Sequence, residues 1–170
     1  MDLHDIKGRI AVALVESVFR RAGFGIESVA GTAGAPEPSR RPGRDDFVPD
    51  FAARRPAPGE GGEGPERFVV EVGYRPQVGQ YLSIEERRAG QSVFALAKRQ
   101  WPRLLFVFVT DHPEPGRSCF QLIDLGVWSS GSTLRATDLF AHEGLQIFRH
   151  NVEEHETLLR RMIALLTGSA

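Results

Sequence analysis

Two acidic residues stand in runs that otherwise read as strand: Asp50 within Phe47-Val48-Pro49-Asp50-Phe51, and Glu71 within Phe68-Val69-Val70-Glu71-Val72-Gly73-Tyr74. A carboxylate in β-branched and aromatic company is costly to bury unless something binds it. Alternate strand residues share a face, so Glu71, Gly73 and Arg75 point one way while Val70, Val72 and Tyr74 point the other. If the two runs pair, Asp50 and Glu71 meet on one side of the sheet. Paired carboxylates are ligands for a hard divalent cation, and the carbonyl of Val72 is a third oxygen within the same stretch.

The elements that must hold this pair can be read from periodicity. Residues Asp5 to Ala22 carry a broad apolar face (Ile6, Ile10, Ala11, Leu14, Val15, Val18, Phe19) at helical spacing, with Gly23 as the stop signal. A short strand over Phe24 to Ala30 leads into a Gly, Ala, Pro and Arg-rich stretch, and the spacing then predicts strands over Phe47–Arg54 and Phe68–Tyr74. The segments 31–44 and 55–65 read as flexible loops. A second helix is expected from Ile84 to Gln100, ended by Pro102. The continuous apolar run from Arg103 to Thr110 predicts a strand covered on both faces, and Ser118 to Leu125 another beside it. Thr137 to Phe148 is ambiguous. Val152 to Leu166 reads as an amphipathic helix that caps the sheet or makes a homodimer contact.

Composition bounds the partners. The chain of 170 residues, 41% hydrophobic and 25% charged, is expected to form one globular domain over 1–170. A net charge of -1 excludes a strong global attraction to nucleic acid, although Arg40, Arg41, Arg44, Arg54 and Arg55 could form a local basic strip. The single cysteine, Cys119, lies in an apolar run and reads as core filler. No apolar run approaches a membrane span and Met1 to Asp5 lacks a basic start, so the expected location is cytoplasmic. His142, His150 and His155 lack zinc-ligand spacing and read as structural.

Pro49-Asp50, a loop, then Glu71-Val72-Gly73 resembles the motif of the PD-(D/E)xK, restriction-endonuclease-like nucleases, and the likeness extends from about Asp5 to Leu125. The resemblance implies an α/β fold with an αβββαβ core, a central mixed sheet flanked by helices, here with an extra C-terminal helix. It implies a magnesium ion, with manganese as a substitute, held by Asp50, Glu71 and the Val72 carbonyl. Such an ion takes up charge on a phosphate oxygen and lowers the pKa of a bound water. The family's lysine, two residues past the glutamate, helps place the attacking water; here that position is Gly73. The family's first-helix glutamate, commonly four residues after a glycine, falls on Val12 when counted from Gly8. Glu16, one turn later, is the candidate stand-in, and Gln91 is the candidate for a glutamine that some members place near the site.

Arg75 shares the face of Glu71 and lies one pleat beyond Gly73, about 6 to 7 Å further along the strand, and is the candidate displaced cation; Lys98 and Arg87 could lean in from the second helix. Losing one positioned transition-state donor costs on the order of 10²-fold in rate. The expected function is therefore a nuclease-like protein with impaired catalysis and a nucleic-acid-binding role, DNA before RNA. The alternatives are an active magnesium-dependent DNA endonuclease using Asp50, Glu71 and Arg75, or an unrelated α/β structural or interaction domain.

Overall fold

The structure, a computed structural model, describes residues 2–29, 47–56 and 65–168. The expected loop 31–44 and most of 55–65 lie outside these residues, as do Arg40, Arg41 and Arg44. Helix α1 (Leu3–Arg21) opens on a capping box: the Asp2 carboxylate accepts from Asp5 N at 2.8 Å, and the Asp5 carboxylate accepts from Asp2 N at 3.2 Å. It ends before Gly23, whose φ of 89° suits glycine.

The described strands form a mixed six-stranded sheet whose spatial order follows the chain. Strands β1 (Gly25–Glu27), β2 (Phe51–Arg55) and β3 (Glu66–Tyr74) make an antiparallel meander. Strand β4 (Leu105–Val109) then runs parallel to β3, which requires a crossover; helices α2 (Val78–Arg87) and α3 (Val93–Gln100) supply it. Antiparallel β5 (Phe120–Asp124) and the short β6 (Thr137–Asp138) complete the sheet, and α4 (Arg149–Thr167) follows. The ambiguous stretch resolves into β6 and two 3-10 turns, Leu139–Ala141 and Glu143–Leu145.

Strand alternation divides the core. Val72, Tyr74, Leu105, Val107 and Val109 face α1 and α4, while Phe106 and Phe108 face α2 and α3 through Leu82 and Phe94. Strand β4 is buried along its whole length, as its unbroken apolar run predicts. Helices α1 and α4 are tied by the Asn151 amide donating to Val18 O at 3.0 Å and by a bond between the His155 ring and Ser17 Oγ at 2.8 Å. Cys119 is buried and burial pushes its thiol up to about 11, so it is not a nucleophile at neutral pH.

One expected element divides in two. The single helix over Ile84 to Gln100 is α2, a 3-10 turn (Ala89–Gln91) and α3. Ser92 leaves helical geometry and caps α3, its hydroxyl accepting from Ala95 N at 3.1 Å. The buried Glu85 carboxylate accepts from Val93 N at 2.9 Å, and Ala89 adopts a positive φ of 47°. Three local preferences thus oppose a continuous helix.

Candidate functional site

The pairing of β2 with β3 ends at Phe51 and Val70, so β3 continues beyond it with that edge uncovered by β2. Asp50, immediately before β2, fills the gap: its Oδ2 accepts the Val72 N–H at 2.8 Å. The N–H and C=O of one strand residue leave on the same edge, so the Val72 carbonyl also opens toward this side. The Glu71 carboxyl lies near enough to Asp50 for the two carboxyl groups to interact electrostatically. Burial first, then the neighbouring Asp50 carboxylate, pushes the Glu71 carboxyl up to about 8, and the charge of Arg75 only partly opposes this. Glu71 therefore holds its proton at neutral pH.

Arg75 packs over position 73. A Cβ built there would lie 3.6 Å from Arg75 Nη1 and 3.7 Å from its Cζ. The guanidinium folds back over the strand, donates to Tyr74 O at 2.7 Å and sits 4.2 Å from the centre of the Tyr81 ring. A Cβ at position 73 would make ordinary van der Waals contact with it. Tyr81, one helical turn into α2, is a supporting residue that no local sequence pattern announces.

The open edge of β3 and the first turns of α1 line a cleft of about 560 Å³: Glu71, Gly73 and Arg75 from one face of the strand, Val72 and Tyr74 from the other, and His4, Gly8, Arg9 and Val12 from the helix. The helix position matching the family's glutamate thus faces the cleft, but with an apolar side chain. Glu16 is not among the lining residues; it pairs with Arg20 at 3.6 Å. Gln91 lies in the exposed 3-10 turn between α2 and α3, also away from the cleft. Lys98 donates to Leu125 O at 2.7 Å and to Trp128 O, and so is committed elsewhere. Arg54 pairs with Glu27 at 3.7 Å, while Arg55 donates to Leu145 O and to Gln146 Oε1, so neither is a free member of a basic strip.

A second polar cluster lies beside the cleft. Lys7 Nζ donates to Asp111 Oδ2 at 2.8 Å and to the Tyr74 hydroxyl at 2.9 Å; that hydroxyl donates to Asp111 Oδ1 at 2.6 Å. Burial alone would raise the Asp111 carboxyl, but Lys7, Tyr74 and His112 reverse the effect and hold it at about 2. The sequence gives no local cue to this cluster, because Lys7 is 67 positions from Tyr74 and 104 from Asp111.

Among the described residues, no group of three or more His, Cys, Asp or Glu is placed to hold a metal. The donors at the β3 edge are instead two carboxyl groups and a carbonyl, a set that suits a hard ion retaining several waters. Among the described residues no helix is long and apolar enough to cross a membrane. The chain matches no protein-family profile, and no curated protein or solved structure matches it at a significant level.

Proposed function

We propose that this chain is a PD-(D/E)xK nuclease-like protein with impaired catalysis that binds a divalent cation and nucleic acid, DNA before RNA, at the cleft beside β3. The observation that carries the reading is the Asp50–Glu71 pair on an open strand edge, where burial and the neighbouring Asp50 carboxylate raise Glu71 to about 8. The succession of α1, a three-strand meander, crossover helices and a parallel strand also supports the restriction-endonuclease-like core. Asp50, Glu71 and the Val72 carbonyl would hold magnesium or manganese. The bound ion would supply charge neutralisation at a phosphate and a more acidic water. Gly73 and Val12 supply neither an ammonium nor a further carboxylate there, which is why catalysis is impaired.

The position of Arg75 favours a second reading, an active magnesium-dependent DNA endonuclease. Its guanidinium overlies Gly73 and could stabilise phosphate charge, although arginine is a poor proton acceptor. Plasmid incubated with the protein and magnesium or manganese separates the two. The expected result is little or no nicking by the native chain and metal-dependent nicking by Val12→Glu with Gly73→Lys. Robust native cleavage, abolished by Asp50→Ala or Arg75→Ala, would replace the first reading with the second. A double variant that neither binds metal nor cuts would remove both.

A further inference from the structure

Glycine in a helix interior sacrifices more conformational freedom than any other residue and is tolerated best where a neighbour presses close. Gly8, in the second turn of α1, has no such neighbour: a Cβ built on it would meet nothing within 4 Å. The space beside it is the cleft, which Gly8 lines together with Glu71 and Arg75. The adjoining Arg9 also lines the cleft, is exposed, and has no hydrogen-bond or ion-pair partner among the described residues. Arg75, which also lines the cleft, is by contrast fixed on Tyr81 and Tyr74 O. Asp5, the carboxylate on the α1 wall, is turned back to Asp2 N in the capping box. The exposed His4 ring stands edge-on to Tyr74 with centroids 5.6 Å apart, at the rim of the same wall.

We propose that the first turns of α1 form the second wall of a single-stranded nucleic-acid site. The sugar-phosphate backbone lies against the bare helix surface at Gly8, with one phosphate on Arg9 and its neighbour facing Arg75. A cleft of about 560 Å³ falls in the ~300–1,000 Å³ range of small-ligand pockets, which suits one or two nucleotides of a single strand and not a duplex. The His4 ring offers a base a stacking surface at the rim. This inference rests on the reading that the cleft takes nucleic acid and adds where, and in which form, the strand lies.

The test is fluorescence anisotropy of the full chain with a short labelled single-stranded DNA in magnesium over a salt series, with melting temperatures measured alongside. Gly8→Ala should raise the melting temperature by about 2–4 °C and weaken binding about two- to threefold, less than a larger side chain there. Gly8→Leu, no less stable than the native chain, should weaken binding at least tenfold by filling the gap. Arg9→Ala should weaken binding and reduce the salt slope by about 0.7, the value for one phosphate contact on a single strand. Native-like affinity and slope in both Gly8→Leu and Arg9→Ala would overturn the inference while leaving the nucleic-acid reading in place. Duplex of the same sequence bound as tightly as single strand would overturn the strand assignment. No native binding at any salt would remove the inference and the nucleic-acid reading together.

Discussion

Glu71 on β3 and Asp111 just beyond β4 are half-buried or buried carboxyl groups on neighbouring parallel strands, yet one is pushed up to about 8 and the other held at about 2. Burial acts upward on both. The difference lies in their partners: Asp111 receives an ammonium and a phenolic hydroxyl, with His112 Nδ1 at 3.1 Å, whereas Glu71 receives another carboxyl group. Asp111 is electrostatically complete within the chain. Glu71 has no such partner, and burial beside a second carboxyl group favours its protonated form. A buried acid with its countercharge built in serves the fold, while one without it is available to a ligand.

The largest loss of stability that would break this contrast follows removal of the countercharge from Asp111. Lys7→Met leaves that carboxylate, whose side chain is 4% exposed, without its ammonium and should cost about 3–5 kcal/mol in urea denaturation. A loss below about 1 kcal/mol would mean that Tyr74 and His112 suffice. Next comes the pH dependence, where the two acids act with opposite sign. Asp111 is lowered, so its contribution is present above its ordinary 3.8 and is lost as pH falls through about 2. Glu71 is raised, so its contribution is full below its ordinary 4.5, declines as pH rises, and is gone above about 8. Glu71→Gln should therefore gain about 4–5 kcal/mol on the native chain between pH 4 and pH 8.5. Parallel stability curves for the two proteins would contradict the raised carboxyl. The smallest effect belongs to Glu16: Glu16→Ala removes an exposed helix pair and should cost about 0.3–0.5 kcal/mol, without change in metal binding.

Much of the fold is legible because helix and strand periodicities are local. The expected α1, Asp5 to Ala22, lies within two residues of Leu3–Arg21 at either end, and the buried run at Leu105–Val109 is a central strand. The break between α2 and α3 was also written locally, in Gly90 and the capping Ser92, but the apolar spacing bridges it. The site is legible only in part. Strand alternation puts Glu71, Gly73 and Arg75 on one face, yet it cannot show that the guanidinium folds back over Gly73 onto Tyr81. The Lys7–Tyr74–Asp111 cluster depends on contacts between α1, β3 and the end of β4, which no short stretch contains. Nor does Glu16 reveal from sequence that it is turned to Arg20 instead of the cleft.

The central proposal is that the Asp50–Glu71 pair binds a divalent cation, and calorimetric titration with manganese at pH 7, in two buffers of different ionisation enthalpy, tests it directly. A divalent ion displacing the Glu71 proton should bind with release of close to one proton, and both binding and release should vanish in Asp50→Asn with Glu71→Gln. No binding by the native chain, or binding that survives in the double variant, would contradict the claim.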